Sequence, residues 1–189
     1  TRPVSLLTIG RAVDKKGLDD LLHALKLLPP ELNWRLTHIG AGPLLGELDA
    51  LARSLNVADR IDWRGAQAHD NVLAAYRAAD VFVLASRVSD DGDRDGLPNV
   101  LLEAQSQRVA CVSTRVSGIP ELIVDGATGL LVEPRDPAAL GAVLARLIAD
   151  PSLRRRVATA GFTRTTTQFS LYAGANHLAE RFAESLAPR

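Results

Sequence analysis

Four short constellations in this 189-residue chain carry side chains that can do chemistry. The first is Gly10-Arg11-x-x-x-Lys15-Lys16-Gly17, an arginine directly after an apolar run and two lysines just before a leucine-rich stretch. Arginine offers a planar fork to phosphate oxygens and lysine a compact charge, so together they suit a diphosphate. Lysines at such a place also serve as plain surface charges. The second is Asp95-Gly96-Leu97-Pro98-Asn99-Val100-Leu101-Leu102-Glu103. Its glycine lets the chain come close to a ligand, its proline starts a helix, and the unpaired amides of the first turn can face an anion. Two carboxylates eight residues apart bracket that turn. This matches a ligand with phosphate in the middle and sugar at both ends, as in a nucleotide sugar. Taken alone, Asp95 also reads as a helix-capping acid and Glu103 as a buried or paired one.

The other two constellations point elsewhere and more weakly. Gly40-x-Gly42-x-x-x-Gly46, with Asp62 twenty residues after Gly42, resembles a dinucleotide fingerprint and would take NAD. It follows the second strand rather than the first, and Asp62 falls inside its strand. Asp91-x-Asp93-x-Asp95-Gly96 imitates the start of a calcium loop, but the twelfth position is Leu102, and Glu103 comes one residue late. That offset turns the carboxylate away from an ion. The same stretch holds Asp-x-Asp triplets, a pattern that binds manganese in other folds, while Asp90 and Asp91 read as a solvated acidic loop. His23 sits on a leucine-rich helix and His38 inside a strand. Neither His69 nor His177 has partners at metal or triad spacing. Cys111 lies in an apolar run and reads as a small buried hydrophobe.

The elements that must position these residues follow from the apolar pattern. Short apolar runs predict strands over 4–9, 34–39, 60–64, 81–84, 109–113 and 129–132. Helical spacing predicts helices over 18–28, 43–55, 71–79, 98–107, 137–149 and 153–160, with a last amphipathic segment over 171–186. Strand and helix alternate, and several strands are apolar on both faces. That is the signature of a doubly wound α/β domain with a parallel, Rossmann-like sheet. In such sheets ligands bind beyond the carboxyl ends of the strands, where Gly10-Arg11, Gly40-Ala41-Gly42, Gly65, 86–96 and Ser117-Gly118-Ile119-Pro120-Glu121 all fall. One glycine could be turn chemistry; five loops on one rim make a cleft the better account.

Composition narrows the classes. With 22 basic and 22 acidic residues the formal charge is +0, which argues against a generic binder of nucleic acid or anionic membrane. The single cysteine excludes an internal disulfide. No apolar run approaches the roughly 18 residues of a membrane span. The 47% hydrophobic content and the length suffice for one well-buried domain. The N-terminus lacks a signal-peptide layout. Methionine is absent, so residue 1 is no natural translation start and the chain is expected to be a piece of a longer protein. The run Arg154-Arg155-Arg156 reads as a solvated helix face.

Taken together, Gly10-Arg11 to Lys16-Gly17, Gly40-Ala41-Gly42-Pro43, Gly65, 79–84, 95–103, Gly118-Ile119-Pro120-Glu121 and 126–130 resemble the C-terminal, donor-binding half of a retaining glycosyltransferase of family 4, of GT-B architecture. The resemblance spans nearly the whole chain, and its specificity lies in the order and spacing of the motifs. It implies that Arg11 and Lys16 bind the donor diphosphate and stabilise it as leaving group, joined by amides near Gly96 and Leu97. Gly10 and Gly42 would lie beside the phosphates or base, and the loop after Gly65 near the base. Glu103, the second acid of the family's Glu-x7-Glu motif, would hold the ribose hydroxyls. The first acid would face the donor sugar. Here it is Asp95, one methylene shorter, so its contact is expected to be longer, shifted or water-mediated.

The same resemblance implies retention of configuration by front-face attack, with a UDP- or GDP-sugar as donor and a glycan or lipid-linked acceptor. Neither a cofactor nor an essential metal is expected, Arg11 and Lys16 doing the neutralising. Residues 1–170 would form the donor domain, and 171–189 a helix bracing an N-terminal acceptor domain of the same full-length chain. Without that domain, little or no transfer is expected. A cytoplasmic site at the inner membrane face, with peripheral association through the acceptor domain, would follow. Two other classes compete: a non-catalytic nucleotide-sugar-binding module, and an NAD-dependent oxidoreductase domain.

Overall fold

A computed structural model describes residues 2–169. The N-terminal half runs β1 (Val4–Ile9), α1 (Leu18–Lys26), β2 (Trp34–Ile39), α2 (Leu45–Ser54), β3 (Ile61–Trp63), α3 (His69–Ala78) and β4 (Val81–Leu84). It continues through α4 (Asn99–Ser106), β5 (Ala110–Thr114), α5 (Ile119–Leu122), β6 (Leu130–Val132), α6 (Pro137–Ala149) and α7 (Pro151–Gln168). Single turns of 3-10 helix at Asp14–Lys16 and Ala58–Arg60 precede α1 and β3. The strands form one parallel sheet in the order β3-β2-β1-β4-β5-β6. The chain winds outward in one direction from β1 and, after β3, crosses back to start again at β4. The expected doubly wound α/β architecture is therefore present.

Period-two alternation along the strands divides the interior into two cores. Leu6, Leu36, Val81, Val83, Ala110 and Val112 point to one face, under leucines of α1 and α6 and Leu48 and Ala52 of α2. Leu7, Ile9, Phe82, Leu84 and Cys111 point to the other, against Tyr76 of α3, Leu101 and Ala104 of α4, and Ile119 and Leu122 of α5. Both faces of β4 are covered, which is why its four residues are all apolar and all buried. Each such side chain contributes ~1.5–3 kcal/mol on leaving water.

The departures from expectation have physical causes. α1 stops at Lys26, short of Leu28, since Pro29-Pro30 cannot continue it and Leu27 closes the last turn onto Ala24. α2 begins at Leu45 rather than Pro43, because residues 42–44 form a turn against the β1 loop, with Leu44 N donating to Ala12 O. The helix expected over 153–160 runs on to Gln168 through a threonine-rich stretch of poor helix propensity. Packing against neighbouring elements offsets that propensity, while the threonine hydroxyls are satisfied locally. Thr163, Thr166 and Thr167 turn their hydroxyls back onto carbonyls one turn earlier. Gly161 passes against Thr128 O and the Gln105 amide, and Thr165 Oγ1 donates to Gln105 Oε1 at 2.6 Å. α5 was not anticipated at all; a single turn of four residues has no readable period. The segment expected to brace an acceptor domain, 171–189, and His177 lie outside the described residues.

Candidate functional site

The order of the sheet places its switch point between β1 and β4, the neighbours whose connections leave in opposite directions. Loops diverging there open a crevice at the carboxyl ends of the strands. Beside it, beyond the carboxyl ends of β1 and β2, Gly10, Arg11, Gly40 and Gly42 line a cavity of about 480 Å³, bounded also by Ala66 and Gln67 and by Val72 of α3. The β1 loop, the glycine loop after β2 and the residues following Gly65 thus meet as the sequence suggested. Arg11 is exposed at the lip, and its side chain makes no hydrogen bond or ion pair with a described residue.

Glycines bring the loops into contact. A Cβ on Gly42 would lie 2.4 Å from Ala12 O and 2.6 Å from Ala12 N, so the β2 loop rests directly on the backbone of the β1 loop. Gly17, with φ of 57°, passes the carbonyl of Ala85 so closely that a Cβ would sit 2.0 Å from it. This seats the start of α1 against the exit of β4. Gly46, the third glycine of the dinucleotide pattern, meets nothing within 4 Å. That pattern therefore lacks the close helix–strand packing its third glycine should provide. Asp62 lies in mid-strand on β3, 2.7 Å from Arg64 Nε, rather than at the cleft.

Across the switch point the two loops are joined by charge. The Lys16 side chain lies over Gly10 and reaches Asp95 Oδ2 at 2.5 Å, in a pair whose side chains are only 13% and 21% exposed. Lys15 Nζ stands 3.4 Å from the other oxygen of Asp95 and 3.1 Å from Asp93. The hydrogen bond to Asp93 raises the Lys15 pKa above its ordinary value. The acid expected to face a donor sugar is thus held by the lysine expected to bind the diphosphate. The acidic loop is likewise engaged in part: Asp91 accepts from the backbone of Asp93 and Asp90 pairs with Arg135.

Arg87, which the sequence reading passed over, underlies this arrangement. Its guanidinium is 8% exposed and contacts Asp14, Asp19 and Asp20 at 2.5, 3.0 and 2.8 Å, while its backbone N–H donates to Lys15 O at 2.9 Å. Burial disfavours its charge, but the three carboxylates outweigh burial and raise its pKa. The Arg87 hydrogen bond in turn holds the Asp14 carboxyl below its usual range. The turn bearing Lys15 and Lys16 is therefore fixed from beneath. An arginine heading an otherwise acidic stretch, opposite three aspartates at a helix start, was the available signal.

Gly96 and Leu97 lie at the mouth of α4, where Gly118 N donates to Gly96 O and no side chain caps the helix. Its N-cap is Pro98, and while Leu101 N donates to Pro98 O, the amides of Asn99 and Val100 lack an intrahelical acceptor, as at any helix start. Glu103, farther along α4, is exposed and outside the cavity lining, and the buried Tyr76 of α3 contacts its carboxylate at 3.0 Å. Tyr76 was also missed; a buried phenol must find a partner, and that was its signal. Burial raises the Cys111 thiol pKa. Among the described residues no helix is long and apolar enough to cross a membrane.

The sequence profile of the family described as "Glycosyl transferases group 1" matches residues 1–164. The chain is 36% identical over 166 residues to the GDP-mannose-dependent alpha-(1-6)-phosphatidylinositol monomannoside mannosyltransferase of Mycolicibacterium smegmatis, covering 85% of this chain and 41% of that protein. The fold is similar to the C-terminal domain of the group 1 glycosyl transferase LpcC from Francisella tularensis, with TM-score 0.78, 27% identity, and 90% of this chain and 89% of that one covered. It is also similar to Anabaena Alr3699/HepE in complex with UDP, with TM-score 0.82 over 97% of this chain and 49% of that one, at 20% identity. The chain spans less than half the length of the curated relatives it matches, 36% to 45% for the first several.

Proposed function

The chain belongs to the glycosyl transferases group 1 family, with the fold of a GT-B C-terminal domain, and from that premise we propose that it is the donor-binding half of a retaining, family 4 enzyme. Its donor is a UDP- or GDP-sugar and its acceptor a glycan or lipid-linked sugar presented by an N-terminal domain. The observation that carries the reading is the cavity beyond the carboxyl ends of β1 and β2, beside the switch point, with the Arg11 side chain unpaired at its lip and Lys16 laid over Gly10. The GDP-mannose dependence named for the mycobacterial relative supports a nucleotide-sugar donor.

In this mechanism the diphosphate lies between Arg11, Lys16 and the mouth of α4 at Gly96 and Leu97, with Gly10 and Gly42 admitting it close to the backbone. The base sits toward the loop after Gly65, Glu103 accepts from the ribose hydroxyls, and Asp95 faces the sugar. An acceptor hydroxyl attacks the anomeric carbon from the face of the leaving group. As the bond to the diphosphate oxygen breaks, that oxygen takes the hydroxyl proton. Charge grows on the diphosphate during this step, so fixed cations there stabilise the transition state more than the ground state. Arg11 and Lys16 supply that charge without a metal or cofactor. Residues 1–170 constitute the donor domain, and the whole enzyme works in the cytoplasm at the inner membrane face.

Calorimetric titration of the chain with UDP, GDP and NAD, with and without EDTA, tests this. Binding of UDP or GDP that is indifferent to EDTA and weakened at least tenfold (about 1.4 kcal/mol) by Arg11→Ala is expected. Binding of NAD alone, or nucleotide binding untouched by Arg11→Ala, overturns it.

A further inference from the structure

Tyr76 stands one helical turn beyond Val72 on α3, so the cavity wall and the phenol share one helix face. The residue is completely buried, at 0% exposure, with its ring 5.6 Å from that of Phe82. Its hydroxyl lies 3.0 Å from Glu103 Oε2 and 3.1 Å from Val100 O, both on α4. One phenolic proton is thus shared between a carboxylate and a carbonyl of the same helix. Burial, reinforced by the Glu103 charge, raises the phenol pKa, so the hydroxyl stays a donor at any working pH. Glu103 itself is exposed and would otherwise sample several rotamers.

We infer that Tyr76 is a positioning residue for nucleotide recognition, its hydroxyl holding the Glu103 carboxylate in the orientation that receives the ribose diol. The inference rests on the assignment of Glu103 to the ribose made above. The stereochemistry of the carboxylate allows it: Oε2 accepts from Tyr76 and keeps a second lone pair, and Oε1 keeps both, so two sugar hydroxyls can donate while the phenol holds its place. Tyr76 touches no ligand in this scheme. It converts a mobile surface glutamate into a fixed acceptor. It also couples that acceptor to α3, a helix that bounds the cavity, so the ribose and diphosphate subsites keep a constant separation. A phenylalanine would fill the same core space against Phe82 and leave the glutamate unheld.

The test is calorimetric titration of the unsubstituted chain, Tyr76→Phe, Glu103→Ala and the double variant. The probes are UDP, GDP, their 2′-deoxy counterparts and inorganic diphosphate, and each thermal unfolding midpoint is recorded separately. Tyr76→Phe is expected to weaken ribonucleotide binding by about five- to tenfold, less than the full worth of a hydrogen bond to a charged group because the phenol acts only through Glu103. It should leave inorganic diphosphate unchanged, narrow the preference for ribo over deoxy ligands, and have no further effect once Glu103 is alanine. Equal weakening of inorganic diphosphate, or an undiminished effect in the Glu103→Ala background, overturns the inference and leaves Tyr76 a packing residue. If the unsubstituted chain binds ribo and deoxy ligands equally and Glu103→Ala changes nothing, the ribose assignment falls, and the inference with it.

Discussion

Replacing Asp95 with asparagine separates two roles that fall on one carboxylate. In the proposed complex Asp95 faces the sugar; in the structure it is the counter-ion of Lys16, 2.5 Å away, with Lys15 at 3.4 Å. At 2.5 Å and an effective dielectric of ~20 the gross attraction is on the order of 6 kcal/mol. Desolvation and side-chain ordering cancel most of that, leaving a net of ~1–2 kcal/mol for a partly buried pair. An incoming diphosphate must recover Lys16 from this partner and tolerate the remaining negative charge beside it. Asp95→Asn removes both costs and nearly preserves shape. It should therefore tighten UDP or GDP binding by roughly 5- to 30-fold, the equivalent of ~1–2 kcal/mol. The same variant should gain much less, or lose, with the intact nucleotide sugar, because the sugar hydroxyl forfeits a charged acceptor. Isothermal titration at 50 and 300 mM salt reads both effects, and the diphosphate gain should shrink at the higher salt. Unchanged or weaker nucleotide binding by Asp95→Asn would refute the counter-ion argument.

Other predictions follow from buried and crowded positions. His38 is fully buried beside the Trp63 ring, and burial lowers its pKa from 6.5 to about 4. Between those values the unfolded chain binds a proton that the native state refuses, so stability is greatest above pH 6.5 and falls as pH drops toward 4, by up to roughly 3 kcal/mol. Urea unfolding at pH 7.5 and 4.5 should show the loss, and His38→Leu should flatten it. Arg87→Met leaves Asp20 without its buried cation, while the half-exposed Asp14 and Asp19 fall back on solvent, and should cost ~1–3 kcal/mol in chemical denaturation; a loss below ~0.5 kcal/mol would make the cluster dispensable. Gly42→Ala drives a methyl to 2.4 Å from Ala12 O and should lower the melting temperature and loosen every ligand alike, including nucleoside diphosphates. Gly46→Ala, in open space within α2, should be neutral or stabilising by up to ~1 kcal/mol and leave binding intact; a loss of binding there would revive the dinucleotide reading.

Much of the fold is legible in the chain because strands and helices announce themselves locally. The run 81–84 is apolar at every position since both sheet faces are covered there, and the leucines of 18–25 repeat at the period of a helix lying on one face. The same locality placed Gly10, Arg11, Gly42, Gly96 and Glu103 after particular strands, and parallel strands put all their carboxyl ends on one rim. Poorly propagating signals failed: α5 is too short to carry a period, and the last two turns of α7 depend on a glycine and a threonine fitted to Gln105 on another helix. What the tertiary structure alone decided is which charges meet. Lys16 and Asp95 are 79 positions apart, Arg87 and Asp14 are 73, and Tyr76 and Glu103 are 27. Sequence spacing carries no distance across such separations. The strand order brings β1 beside β4, so that two loops remote along the chain share one crevice, and Coulomb and hydrogen-bond energies act only once that neighbourhood exists.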